Sequence, residues 1–168
     1  MADITLGGTP TKTIGNLPTV GSTIQDFTLS RNDLSDTSLA DYKGKNLVFN
    51  IFPSVDTGVC AQSIRTFNEK ASKLENTSIL CVSRDLPFAQ ARFCGAEGIE
   101  NVHTLSDFKT GKFGQDYGVT IEGGAFDQLH SRAIIVTDSN GKVCYTEQVP
   151  EVGQEPNYEA ALNAISFC

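Results

Sequence analysis

Cys60 is the residue whose surroundings point most directly to chemistry. It closes the segment Pro53-Ser54-Val55-Asp56-Thr57-Gly58-Val59-Cys60, just after the apolar run Leu47-Val48-Phe49-Asn50-Ile51-Phe52. The run reads as a buried strand. A chain that leaves a strand at proline and enters a helix through Asp-Thr-Gly delivers a thiol to the first helical turn. There the backbone N–H groups lack helical partners and the positive end of the helix dipole favours an anion. Thiolate is the reactive form of cysteine, and an ordinary thiol, with a pKa of about 8.5, supplies only a few per cent of it at pH 7. The chemistry implied is nucleophilic attack by an activated sulfur. The competing reading is packing: Cys60, Ile64, Phe67, Ala71 and Leu74 share one helical stripe, and free cysteine often serves as a small buried hydrophobe.

Two neighbours carry the same pair of readings. With Thr57 as N-cap, Cys60 falls at the third helical position. The hydroxyl then either caps that amide or meets the sulfur and its reactant. Pro53 has no N–H to donate. It either ends the strand or covers the sulfur against water. A thiolate also calls for a permanent cation, and five arginines are candidates. Arg65 lies five residues beyond Cys60, so a helix points it elsewhere, though its reach could compensate. Arg132 stands just before the apolar run Ala133-Ile134-Ile135-Val136, where an arginine is usually a solvated strand end.

The elements that must position these residues follow from periodicity. Residues 3–14 read as a hairpin around Gly7-Gly8, and short strands are expected near 25–30 and 36–39. The strand at 47–52 leads to a helix over 59–75, then a buried strand at 77–83. Pro87 opens a second helix, and Gly95 or Gly98 closes it. A strand at 102–106 follows, then a glycine-rich stretch over 110–125 holding one brief helix and loops. Residues 133–138 and 142–146 flank the turn Ser139-Asn140-Gly141 as a second hairpin. Asn157 to Phe167 forms a closing amphipathic helix, with Tyr158, Ala161, Leu162 and Ile165 on one face. Alternating strands and helices followed by a hairpin give an α/β chain. Its expected form is a single domain over residues 1–168, with a mixed central sheet and helices on both faces.

Composition narrows the function classes. The chain has 168 residues, a formal charge of −7 and thirteen scattered basic residues. A nucleic-acid or anionic-membrane surface would need them concentrated. The apolar runs are too short to span a bilayer. The start, Met1-Ala2-Asp3-Ile4-Thr5, has no basic patch followed by an apolar stretch, which favours the cytoplasm. Five cysteines, 60, 81, 94, 144 and 168, are an odd count with no Cys-x-x-Cys. No fixed disulfide framework and no zinc ribbon is expected.

Two blocks carry a family resemblance. One is Asn50-Ile51-Phe52-Pro53-Ser54-Val55-Asp56-Thr57-Gly58-Val59-Cys60. The other is Asp85-Leu86-Pro87-Phe88-Ala89-Gln90-Ala91-Arg92-Phe93-Cys94-Gly95-Ala96-Glu97-Gly98. Together with Arg132-Ala133 and Glu155-Pro156-Asn157-Tyr158-Glu159-Ala160-Ala161-Leu162, they resemble the peroxiredoxins, closest to the bacterial thiol peroxidase subfamily. The resemblance covers nearly the whole chain. It implies a thioredoxin-like fold and a peroxidase for hydrogen peroxide and organic hydroperoxides. Cys60 is then the nucleophile, with Thr57, Pro53 and Arg132 beside it. Cys94 is implied as the resolving cysteine, which joins Cys60 in an intrachain disulfide. Both cysteines read as helical, so that bond requires local unwinding. Thioredoxin is implied as reductant and a homodimer as assembly; no metal, haem or flavin is called for.

The remaining candidates read as structural. Cys81 sits in a buried strand. Cys144 and Cys168 depart from the subfamily pattern, and Cys168 is open to an intermolecular disulfide. His103 and His130 lack ligand-spaced partners. Asp107, Asp116, Asp127 and Glu122 read as solvated charges, while Phe88, Phe93 and Phe126 are candidates for an apolar pocket. Two rival functions stay open: a non-enzymatic redox sensor switched by the Cys60–Cys94 disulfide, and a hydrolase pairing Cys60 with His130.

Overall fold

Side-chain alternation in three central strands splits the core in two. Along β5 (Asn46–Ile51), Leu47, Phe49 and Ile51 face one cluster and Val48 faces another. In β6 (Thr77–Ser83), Leu80 and Val82 join the first cluster, and Ile79 and Cys81 the second. β9 (Ala133–Thr137) divides its residues the same way. A period of two with apolar residues on both faces requires cover on both sides. The computed structural model describes residues 1–168 and shows that cover. α1 (Gly58–Ala71), α2 (Pro87–Glu97) and α4 (Tyr158–Ile165) contribute to the second cluster, through Ile64 and Phe67, Phe93, and Ala161 and Ala164. The other face is closed by α3 (Lys112–Asp116) with Phe27, Tyr42, Tyr117 and Val119. Three α-helices therefore share one face, and the short α3 sits on the other with a 3-10 turn over Leu39–Tyr42.

The remaining strands are β1 (Asp3–Leu6), β2 (Thr9–Thr13), β3 (Thr28–Ser30), β4 (Asp36–Ser38), β7 (His103–Ser106), β8 (Ile121–Glu122) and β10 (Val143–Gln148). Seven of the ten strands form one mixed sheet in the order β10-β9-β5-β6-β7-β3-β4. β5 runs parallel to β6, and β6 to β7; β9 is antiparallel to both β5 and β10. This is the expected mixed sheet with helices on both faces. The N-terminal hairpin stands in a separate sheet, β1-β2-β8.

Several boundaries differ from expectation for local reasons. α1 stops at Ala71 rather than 75 because its last turn tightens, with Lys73 and Leu74 amides bonding carbonyls three residues back. β3 starts at Thr28 rather than 25, since the Gln25 carbonyl accepts the Tyr117 hydroxyl instead of joining the ladder. Within 110–125 the chain forms β8 as well as α3; its two residues pair with Lys12 and Thr13, a contact without local signal. α2 matches its signals: Pro87 at the first turn and Gly98 past the end at φ 65°, a conformation glycine adopts without penalty. No helix is long and apolar enough to cross a membrane.

Candidate active site

β5 ends at Ile51, and the chain reaches α1 through Phe52 to Thr57. Asp85, just past β6, holds this connection. Its carboxylate accepts Ser54 Oγ at 2.7 Å and the Val55 amide at 2.9 Å, and also Ser83 Oγ. Sequence reasoning gave Asp85 no role of its own. The signal available was its place between a buried strand and the proline that opens α2.

Thr57 is the N-cap of α1 by backbone geometry, yet its side chain makes no capping bond. The hydroxyl donates to the Ser54 carbonyl at 3.1 Å. Of the two readings of Thr57, the capping bond is absent. The first helical bond runs from the Ala61 amide to the Thr57 carbonyl, so the amides of Gly58, Val59 and Cys60 find no acceptor in the chain. Three orphan donors and the helix dipole thus converge where Cys60 sits, fully buried, at the third helical position.

Arg132 reaches this sulfur from a position 72 residues away in sequence. Its Nη2 donates to Cys60 Sγ at 3.2 Å, its Nε donates to the Val152 carbonyl at 2.7 Å, and its buried Nη1 has no acceptor. The side chain is 1% exposed. It joins no ion pair with any carboxylate. A buried guanidinium without a counter-charge is costly, and the one ionisable atom bonded to it is the Cys60 sulfur. Arg65 is turned away as expected and pairs with Glu97 across to α2.

A cleft of about 150 Å³ is lined by Arg132; Cys60, fully buried and bonded to that arginine, does not itself line it. Pro53, Thr57, Gly58, Val59 and Arg132 line it together with Leu6, Phe126, Val152 and Gly153. Arg132 brings a cation to its lining, beside the apolar side chains of Leu6, Val59, Phe126 and Val152. Of the aromatic candidates only Phe126 lines it. Phe93 is spent in the core under α2, and Phe88 is 66% exposed elsewhere.

The wall contributed by Leu6 and Val152 is held by Glu151, which sequence reasoning missed. Its carboxylate accepts Thr5 Oγ1 and the amides of Gly7, Gly8 and Gly153. The Gly153 amide, then that of Gly8, brings its pKa down to about 2. Gly7 and Gly8 take φ of 57° and 83°, so a side-chain-bearing residue would be strained at either place. The hairpin tip is thereby fastened to the loop whose carbonyl anchors Arg132.

Cys94 does not line this cleft either. It lies on α2, half-buried, with Sγ 3.3 Å from Thr104 Oγ1 on β7. Cys60 and Cys94 are both free thiols, carried on the separate helices α1 and α2. The two helix regions are tied by Arg65–Glu97 and Arg92–Asp56. Both pairs are exposed, and such pairs contribute about 0–1 kcal/mol each, too little to prevent opening.

Other expectations are corrected. Asp107 is no solvated charge: it is 3% exposed, accepts the Phe113 and Gly114 amides, and bonds His130 Nε2 at 2.9 Å. That leaves His130 engaged beside Phe113, on the sheet face opposite Cys60. The hydrolase reading loses its base. Cys144 and Cys168 are not independent thiols but form an intrachain disulfide with Cα atoms 5.7 Å apart. The register of β10 against β9 slips between Val143 and Tyr145, leaving Cys144 as the extra residue of a bulge. A bulge re-aims a side chain, and here it meets the chain end beyond α4. Cys81 is buried as expected, and burial pushes its thiol up to about 12.

Comparison with known proteins places the chain in a family. Residues 19–162 match the Redoxin family. The chain is 52% identical over 166 residues to a thiol peroxidase of Corynebacterium glutamicum, covering 99% of this chain and 100% of that protein. It is 56% identical over 165 residues to a thiol peroxidase of Mycobacterium tuberculosis, covering 98% and 99% respectively. Among solved structures, a peroxiredoxin-like protein from Aquifex aeolicus superposes with a TM-score of 0.93 at 35% identity, over 99% of this chain and 97% of that one. A thiol peroxidase from Chromobacterium violaceum shares the fold at TM-score 0.91 and 21% identity, over 98% and 95%. On these grounds the chain belongs to the redoxin family, as a peroxiredoxin of the thiol peroxidase group.

Proposed function

We propose that the protein reduces hydroperoxides with Cys60 as nucleophile and Cys94 as resolving thiol, as a thiol-dependent peroxidase of its family. The observation that carries the assignment is the buried Arg132, which has no carboxylate partner and donates to the Cys60 sulfur at 3.2 Å. The thiolate attacks the outer oxygen of the peroxide. The O–O bond breaks, sulfur gains the oxygen as sulfenic acid, and the alkoxide or hydroxide takes a proton to leave as alcohol or water. The spare Nη1 donor and the open amides of α1 are placed to stabilise charge on the oxygens as that bond breaks. Thr57 and Pro53 line the cleft beside Arg132, where they orient the peroxide and limit water. The apolar wall of Leu6, Val59, Phe126 and Val152 suits an organic hydroperoxide as well as hydrogen peroxide.

Cys94 then displaces hydroxide from the sulfenic acid to form the disulfide. A thioredoxin-type dithiol protein restores both thiols by exchange. Organisation as a single domain, assembly as a homodimer and residence in the cytoplasm belong to the same proposal.

Turnover separates the enzyme from a redox sensor. With a hydroperoxide in hundredfold excess and a thioredoxin system present, the protein is expected to consume all the peroxide. Consumption that halts after one equivalent per chain would support the sensor.

A further inference from the structure

Thr104 has one hydroxyl proton, and it is committed. Thr104 Oγ1 donates to Asn32 Oδ1 at 2.9 Å, while Cys94 Sγ lies 3.3 Å from the same oxygen. With the proton spent on Asn32, the oxygen only accepts, so Cys94 is the donor of the bond between them. Thr104 is 4% exposed and Cys94 is half-buried. The contact ties α2 to β7 at the cysteine itself. The same residue is fixed through its backbone, since its carbonyl accepts the Gly98 and Ile99 amides that close α2.

We propose that Thr104, oriented by Asn32, is a positioning residue that keeps Cys94 docked on β7, and so sets how long the Cys60 sulfenic acid lasts before it is resolved. The inference rests on the assignment of Cys94 as resolving thiol. Resolution needs Cys94 as thiolate: it attacks Cys60 Sγ, the S–S bond forms, the S–O bond breaks, and hydroxide leaves. The proton shed by Cys94 converts that hydroxide to water, so one S–H and one S–OH become one disulfide and one water. The docked thiol cannot take this step until it leaves Thr104. Cys81 stands opposite Thr104 in the sheet register but offers no substitute, because burial holds its thiol protonated. Breaking the Cys94–Thr104 bond is thus part of the opening that brings the cysteines together. A sulfenic acid that lasts longer is open to over-oxidation or to another thiol.

The test uses rapid-quench mixing of the reduced full-length protein with one equivalent of hydroperoxide. Sulfenic acid is trapped by dimedone and disulfide is read by mass. In Thr104→Val the first oxidation should keep its wild-type rate. Disappearance of the sulfenic acid should be about three- to tenfold faster, the range expected for loss of one ordinary hydrogen bond. Thr104→Ser retains the acceptor and should restore the wild-type lifetime. Resolution in Thr104→Val within twofold of wild type, or slower, would overturn the proposal, as would equal acceleration in Thr104→Ser. If wild type forms no Cys60–Cys94 link at all, it is the assignment of Cys94 that fails.

Discussion

Cys60→Ser is expected to leave no peroxide turnover above the uncatalysed background, with the fold and melting temperature essentially retained. Serine is close to cysteine in size, and the position is fully buried at the first turn of α1. What disappears is the nucleophile of the proposed reaction. A hydroxyl is far less acidic than a thiol, so even with Arg132 and three unpaired amides beside it, it does not ionise near neutral pH. Peroxide consumption by the variant, measured with the thioredoxin system in excess, checks this. Turnover at a wild-type rate would remove Cys60 as the reacting atom. Thermal melting in parallel separates lost chemistry from lost structure.

The second large effect is expected at Arg132. In Arg132→Met the long apolar side chain fills much of the same volume, but no donor faces the sulfur or the cleft. Losing a donor aimed at developing negative charge commonly costs about 10²–10³ in rate, and that range is expected for the first oxidation. Stability should not fall in proportion. Removing a buried guanidinium that has no carboxylate partner relieves a desolvation penalty, which opposes the loss of its bond to the Val152 carbonyl. A melting temperature within a few degrees of wild type, with oxidation at least a hundredfold slower, is the expected pair of results. Unchanged oxidation would contradict the site. A collapse in stability with residual activity in proportion would make Arg132 a structural residue.

Much of this was legible in the sequence because it is local. The strand-to-helix junction at Pro53 and Thr57, the buried strand 77–83 and the capped helix after Pro87 each carry their signals within a few residues. The link between Cys60 and Arg132 is not local; only family resemblance pointed to it, since an arginine before a buried strand is ordinarily a solvated end. Features that depend on tertiary register were not legible. Glu151 gathers its donors from Thr5, Gly7 and Gly8, more than 140 residues away. Asp107 looks like any surface acid until α3 folds its amides onto it. The Cys144–Cys168 bond depends on a one-residue bulge that no composition rule foretells, so an odd cysteine count misled. The same limit hid the contact of Cys94 with Thr104: the pairing of β6 with β7 and the packing of α2 together create it.

The central claim is that Cys60 is oxidised beside the Arg132 cleft and then resolved by Cys94 of the same chain, although the two are free thiols on separate helices. It is tested most directly by mapping disulfides after reduced protein meets one equivalent of hydroperoxide, with free thiols alkylated at once and peptides separated without reductant. The expected product is a single new link, Cys60 to Cys94, within one chain. Cys60 joined to Cys144 or Cys168, a link crossing between chains, or Cys94 still free while Cys60 is oxidised to a disulfide would contradict the account.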